Sequence, residues 1–590
     1  MKIKFDLYHN YEEMVKILKG FADEYPKLCN LYSMGKSTAG RELYVMEITN
    51  SETGLAADKP AIYEDGVEHG AEVTGREVCL WTINYVLTNY GKDDFITGLL
   101  DTRCLYIQPC LNPDGAEIYL TTPYRRIGGG ILNPEFEWKE GLYEEDVNSD
   151  GHITQMRVED PNGDWKVSDK DSRCMVKRKV NDFGGRYYKI YTEGHIKGYD
   201  GGEIKMRPQR YIGGTNRNWP GRWTPEKRAY GVDMPLDEPE PRANADFWKA
   251  HKNICGGLCY HTYSGIIVRS LSNASDDTLD VRDIATYQFI GEIGTDLTGE
   301  LRYPFIGGNN ALFTMDPANP RMGTGKDFWF DVMGTYAFTI ELWDLAGNAG
   351  LGNFQERGGI KFLRDGNRTE EEDLAMLKWN DKELDGDGFV DWTPYEHPDL
   401  GPVEIGGWKF KFTWQNAPPK FLEEECERTG KFMLVYAALT PLIKLKKVET
   451  KCVGPGLHKI SVVVKNVGFL PTNITEHAKK ANIAKPVVIK IIPGEGAELV
   501  MGKEIFELGH IEGRSDRLPG RFYTPLGPRE EPPGRFYGDT FGGRAGGAAD
   551  SSSRAVEWLV KVPSDIQTMV MIEVTSEKGG IDRKEIVLKP

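Results

Sequence analysis

Long apolar runs are missing from this chain of 590 residues. No stretch approaches the roughly 20 consecutive apolar residues a membrane span requires, so no spanning helix is expected. The opening MKIKFDLYHNYEEM lacks the apolar segment of a secretory leader. Cysteine is sparse, with nine residues scattered along the chain and no CxxC pair. That excludes a disulfide scaffold and cysteine zinc fingers. Cys255 and Cys259 sit in an apolar run and read as packing thiols. Basic blocks are missing too. Lys+Arg 73 against Asp+Glu 89 gives a net charge of −16. A surface that acidic repels phosphate backbones, so nucleic acid is not an expected partner.

What is present describes a globular protein, with 39% hydrophobic and 27% charged residues to build cores and a surface. Up to about residue 440, short apolar runs alternate with amphipathic stretches, the pattern of an α/β domain. Residues 11–21 have helical spacing through Met14, Ile17, Leu18 and Phe21, and 78–87 and 423–440 also read as helices. Strands are expected at 42–48, 61–67, 104–108, 254–260 and 336–342. Two insertions interrupt this core. Residues 127–212 show little periodicity, and 350–418 hold one expected helix (370–377) followed by a loop rich in Asp, Gly and Pro. Connectors that long are usually functional lids or ion-stabilised insertions. The expected division is a catalytic domain at 1–441 and a small all-β sandwich at 442–590. Within the sandwich, 459–467, 487–492 and 569–574 read as strands, and a Gly/Pro/Arg-rich loop spans 513–550. That loop repeats PGRFY at 519–523 and 533–537, with no ligand implied.

Four of the apolar strands run into reactive residues: AIYEDGVE into His69 and Glu72, CLYIQP into Asn112-Pro113-Asp114-Gly115, ICGGLCY into His261, and YAFTIELWD carrying Glu341. Ligands of open α/β sheets bind outside the carboxyl ends of strands, where such residues converge. Two histidines and a carboxylate form the protein ligand set of a catalytic zinc, with a fourth position left for water. A separate carboxylate must then accept the proton of that water, and Glu341 is the candidate.

The words HGAE (69–72), NPDG (112–115), TNRNW (215–219), YHTYSG (260–265) and FTIELWD (338–344) occur in the order found in the zinc metallocarboxypeptidases, the family of pancreatic carboxypeptidases A and B. The chain resembles that family over roughly residues 8–440. The resemblance implies a mixed, mostly parallel sheet flanked by helices. It also implies one Zn2+ held by His69, Glu72 and His261, with Glu341 as general base and acid. Asn216 and Arg217 would bind the free C-terminal carboxylate of a peptide substrate, a bidentate task suited to a guanidinium. Arg125 would stabilise the oxyanion, with Arg126 as the alternative, and Tyr263 matches a substrate-lining tyrosine.

The departures are as informative. Ala71 stands where the family commonly has an arginine that contacts substrate upstream of the scissile bond. Gly214 stands where many members have an aspartate behind a ligand histidine, so His69 must find another partner. The stretch 315–321 lacks the mobile tyrosine of the pancreatic enzymes. Lys326, ahead of Asp327-Phe328, falls at the floor of the terminal-residue pocket, where an ammonium would favour an acidic terminal side chain. Two Asp-rich loops read as candidate Ca2+ sites: Asp146, Asn148 and Asp150 in the first insertion, and Glu383, Asp385 and Asp387 in the second. An ion there would hold a segment that lacks its own core. Calcium loops and a sandwich appendage would suit an exported enzyme with its leader removed. The expected activity is removal of a C-terminal residue from peptides. Two alternatives stand beside it: a zinc amidase or γ-glutamyl peptidase acting on cell-wall peptides, and a non-catalytic binding protein.

Overall fold

The structure is a computed structural model and describes residues 3–125, 127–133, 139–207, 210–225, 233–299, 306–311, 320–362, 368–514, 523–524, 527–528 and 551–590. Its centre is an eight-stranded sheet. In chain order the strands are β1 (Cys29–Lys36), β2 (Glu42–Ile48), β3 (Ala61–Gly66), β4 (Cys104–Gln108), β5 (Ile254–Thr262), β6 (Ile266–Arg269), β7 (Ile306–Ala311) and β8 (Tyr336–Leu342). They lie side by side in the order β1-β2-β4-β3-β5-β8-β6-β7. The pairs β4/β3, β3/β5, β5/β8 and β6/β7 are parallel and the other three antiparallel, so the sheet is mixed and mostly parallel, as expected.

The strands β3, β4 and β5 are buried along their whole length because helices cover both faces. On one face the helices Tyr11–Glu24, Thr74–Asn89, Val281–Gly299 and Pro419–Ala438 enclose the larger core, which includes Leu18, Ile83, Phe338 and Phe432. On the other, Pro239–Ala250 and Gly325–Asp331 close a smaller core around Trp219, Trp248 and Trp329.

The two insertions are not coreless loops, which corrects the sequence reading. They meet in one antiparallel six-stranded sheet, in the order Phe389–His397, Gly401–Trp408, Gln155–Glu159, Tyr188–Thr192, Trp165–Val167, Met175–Lys177. Leu142, Met156, Ile196, Val403 and Ile405 form a core beneath it. Arg157 of the first insertion donates to both carboxylate oxygens of Glu404 of the second, from Nε at 2.9 Å and Nη2 at 3.2 Å.

The C-terminal region carries two four-stranded antiparallel sheets with a shared core of Ile460, Val462, Ile489, Trp558 and Ile572. Burial alternates residue by residue along Leu457–Asn466, the mark of a strand with one face inward. This region is anchored on the α/β part at several places. Asp283 is fully buried and accepts from Glu476 N (2.8 Å), His477 N (2.9 Å) and the Tyr336 hydroxyl (2.8 Å). Lys578 donates to Ile254 O, where β5 begins. Phe469 stacks on Phe289 at 4.8 Å, and Phe469, Leu470 and Ile474 belong to the larger α/β core. The first PGRFY repeat lies mostly outside the described residues, and the second lies outside them altogether.

Candidate metal centre

Three peptide segments deliver the site. β3 ends at Gly66, and Val67 takes a left-handed conformation (φ 61°) that turns the chain before Glu68-His69-Gly70-Ala71-Glu72 enters the helix Thr74–Asn89. A positive φ is rare for a β-branched residue and marks an enforced turn. The turn is held from below by a glycine contact. A Cβ on Gly70 would lie 2.6 Å from the Cα of Gly115, so the HGAE and NPDG words pack backbone against backbone. The other NPDG residues are structural too: Asn112 caps its helix at Gly115 N, and Asp114 accepts from Ser37, Ala39 and Arg41. Asn416 closes the turn from above, donating to Ala71 O (2.8 Å) and accepting from Thr74 N (3.1 Å).

The second segment is the end of β5. Register pairs His261 with Glu341 of β8, so the two project side by side. His69 Nδ1 lies 3.0 Å from Glu72 Oε1, His261 Nδ1 lies 2.9 Å from Glu72 Oε2, and the two Nδ1 atoms are 3.2 Å apart. One atom from each of the three residues thus lies close to the other two, a grouping that could hold a metal ion. Burial opposes charge on Glu72, but His69 and His261 outweigh it and hold its carboxyl well below the usual range. His261 is raised well above the ordinary imidazole value against its burial, by Glu72 on one side and Glu68 on the other. One buried carboxylate and two imidazole nitrogens that face one another make a donor set that calls for a cation, and its N/O donors fit zinc. Glu341 is pushed up to about 7, first by burial and then by the Glu72 charge, against the pull of His261, His69 and Lys326.

Glu68 is the residue the sequence reading missed. Its Oε2 lies 3.0 Å from His261 Nε2, the ring nitrogen facing away from the centre, while its Oε1 accepts from Trp219 Nε1 at 2.8 Å. Cys259, read as a packing thiol, donates to the same Oε2 (3.5 Å) and sits 3.1 Å from His261 Nε2. The tryptophan of TNRNW therefore orients the carboxylate that faces a candidate ligand.

The third segment, Thr215–Arg217, is a single turn whose Gly214 N and Thr215 hydroxyl donate to buried Glu238. Asn216 Nδ2 comes within 3.4 Å of His261 Nε2, on the side of the ring that Glu68 also faces, and Arg217 is its chain neighbour. Burial, followed by the nearby Arg321, depresses the Arg217 guanidinium. Arg125 and Tyr263 line a cavity of about 460 Å3 that also opens on His69 and Glu72. Arg126 lies outside the described residues.

Two expectations fare worse. Lys326 does not present a free ammonium to a pocket: it is buried and bonded to Ser272 Oγ and to Asp327 Oδ1 (3.1 Å). The calcium readings find no support. Asp146 and Asp150 accept from backbone N–H groups of their own loop, the bonding of Asx turns that needs no ion. Glu383 ends the helix Glu370–Glu383 rather than lying in a loop, and it pairs with Lys382 and Lys420, while Asp387 pairs with Lys409 at 2.6 Å.

Among known proteins, the family model described as zinc carboxypeptidase matches residues 14–179, and one for a domain of unknown function matches residues 442–587. Carboxypeptidase D of Anas platyrhynchos is 42% identical over 110 residues, 19% of this chain and 8% of that protein. Carboxypeptidase A2 of Rattus norvegicus is 35% identical over 143 residues, 23% of this chain and 33% of that protein. This chain therefore spans only a minor part of the length of these relatives. Among solved structures, thrombin activatable fibrinolysis inhibitor is similar at a TM-score of 0.39 and 18% identity, over 64% of this chain and 74% of that one. The family match contains His69, Glu72 and Arg125, while His261 and Glu341 lie beyond it and join them through the sheet. Residues 14–179 are thus similar to the zinc carboxypeptidase family, and stretches of the chain are similar to parts of carboxypeptidases D and A2.

Proposed function

We propose that this protein is a zinc-dependent metallocarboxypeptidase that hydrolyses the last peptide bond of peptides with a free C-terminal carboxylate. The observation that carries the reading is the convergence of His69 Nδ1, the Glu72 carboxylate and His261 Nδ1 within 3.2 Å of one another, with Glu341 on the adjoining strand. His69, Glu72 and His261 would hold the metal, and zinc so bound supplies a Lewis acid and lowers the pKa of its water to about 7.

The remaining work belongs to the chain. Glu341 takes the proton of the attacking water and returns it to the leaving amine. Arg217 and Asn216 hold the substrate's terminal carboxylate, which fixes which bond lies over the centre. Arg125 opens into the same cavity as His69 and supports the developing oxyanion. Glu68 and Trp219 lock the tautomer of His261. An acidic terminal preference would have to come from Arg217 and Arg321 rather than from Lys326, whose charge is met by Asp327.

The test is a zinc-loaded assay on peptides ending in Glu, Phe or Lys, each with a free and an amidated C-terminus. Release of one residue from free termini only, abolished in Glu341→Gln, is the expected result. Release from amidated peptides, or equal turnover by Glu341→Gln, would overturn the reading.

A further inference from the structure

The cavity of about 460 Å3 beside the centre has a wall that the two insertions supply, seated against the α/β core through Trp414. His69, Ala71, Glu72 and Tyr263 contribute the core side. The opposite side comes from both insertions: Gln155 and Thr192 from the first, and Arg368, Trp408, Phe410 and Trp414 from the second. Asn216, Arg217 and Lys326 do not line it. A peptide whose terminal carboxylate sits on Arg217 therefore turns its other end, upstream of the scissile bond, into this cavity.

Aromatic rings dominate the wall. Tyr263 stands edge-on to Phe410 (6.0 Å, 84°) and to Trp414 (6.2 Å, 78°), and Trp414 stands edge-on to Trp408 (6.0 Å, 84°). Edge-to-face contact is the favourable arrangement of such rings, and a further ring can extend it. The cations of the cavity are already balanced. Arg125 lies over Phe410 (5.7 Å) and faces Glu144 (3.5 Å), and Arg368 lies over Trp414 (5.0 Å) and pairs with Asp373 (2.8 Å). An acidic side chain there would meet Glu144 beside Arg125 and Asp373 beside Arg368, so it gains less than an apolar ring. Ala71, whose small side chain lines the floor, leaves the volume open. A second compartment of about 160 Å3 continues past Gln155, Arg368 and Trp408, so the groove extends beyond one residue.

We infer that the two insertions form a selective upstream subsite for a bulky apolar side chain, aromatic above all, on the substrate residue preceding the scissile bond. The inference rests on the carboxypeptidase reading and makes the insertions, rather than the terminal-residue pocket, the main source of selectivity.

The experiment uses the full-length zinc-loaded protein and peptides with a constant free terminal residue and Phe, Leu, Gly or Glu before it. Burying an aromatic ring predicts kcat/KM roughly 10- to 100-fold higher for Phe than for Gly. Trp408→Ala, which opens the wall, and Gln155→Trp, which fills the cavity, should each shrink that ratio by about tenfold. Melting curves of both variants report that they remain folded, and either one suffices. In parallel, binding of the same peptides to Glu341→Gln is measured by calorimetry. Cleavage with Phe and Gly within about threefold of each other, or with Glu preferred, overturns the subsite and leaves the carboxypeptidase reading intact. No cleavage, but tighter binding of Phe that Trp408→Ala abolishes, overturns the carboxypeptidase reading and supports the subsite. Neither cleavage nor selective binding overturns both.

Discussion

Replacing Glu68 by glutamine isolates the outer support of the metal centre. The carboxylate meets His261 Nε2 at 3.0 Å through one oxygen and the Trp219 indole N–H at 2.8 Å through the other, in full burial. Glutamine keeps the volume but has one acceptor oxygen and an NH2 group. One of the two ring N–H groups must then face a donor. If His261 keeps the oxygen, it loses an anionic partner that makes its inward Nδ1 a better donor to a metal. If Trp219 keeps it, His261 loses its partner altogether. Removing such a support costs about 10- to 100-fold in metal affinity, about 1.4–2.8 kcal/mol.

The assay is competition for zinc against a chromogenic chelator, with zinc content read alongside. Trp219→Phe removes the indole donor but leaves the carboxylate on His261, so its loss should be several-fold smaller. Cys259→Ala removes only a weak donor and should change affinity by less than about threefold. Thermal unfolding of the metal-free proteins separates a folding defect from a metal defect. Glu68→Gln that binds zinc within about threefold of wild type would refute the reasoning, and Glu68 would then be only an acceptor for Trp219.

Two further predictions concern the supports around the centre. Glu238, which holds the Thr215–Arg217 turn, is raised from 4.5 to about 7, first by burial and then by the Glu240 and Asp237 charges. A carboxyl that binds its proton more tightly when folded makes stability fall as pH rises from about 4.5 to 7 and level off above, by up to about 3 kcal/mol. Urea unfolding from pH 4 to 8 should show that decline, and Glu238→Gln should flatten its share; an equally steep decline in the variant would show that another group causes it. Asp283→Ala strips acceptors from two backbone N–H groups and the Tyr336 hydroxyl, so it should cost about 3 kcal/mol. A cost below about 1 kcal/mol in urea would mean that the two parts of the chain do not depend on this anchor.

The central fold was legible because its strands are short apolar runs followed by amphipathic helices, and each such run found a place in the sheet. The inserted sheet was not legible. Its strands run from three to nine residues, several with mixed polarity such as QMRVE, and Arg157 finds Glu404 across 247 positions. Local periodicity holds no trace of such a pairing, because the burial that selects those residues exists only once both insertions are in place. The Asp-rich loops are ambiguous for a different reason. Alternating Asp and Asn suits a bound cation, but it equally suits side chains that cap their own backbone, and Asp146 and Asp150 do the latter. Lys326 had two readings in the sequence, a pocket ammonium or a partner for Asp327, and the structure pairs it with Asp327.

The support of the ligands shows what a motif leaves undetermined. AIYEDGVEHGAE offers four acidic residues, and a simple strand alternation would place Glu64 and Glu68 on one face. The left-handed Val67 breaks that alternation. Glu64 accepts from the Tyr260 hydroxyl, on the side of the larger core, whereas Glu68 meets His261 and Trp219, on the side of the smaller one. With Gly214 in place of an aspartate, the expected need was a new partner for His69. The structure puts the carboxylate behind the other histidine instead, and His69 faces Glu72 and His261. The outer anion of this centre therefore stands behind His261, on the residue that follows the left-handed Val67. It follows that His261, held by Glu68 at one nitrogen and aimed by the β5–β8 register at the other, is the fixed member of the set. His69, more exposed and carried by the turn alone, is the member free to adjust when a metal enters.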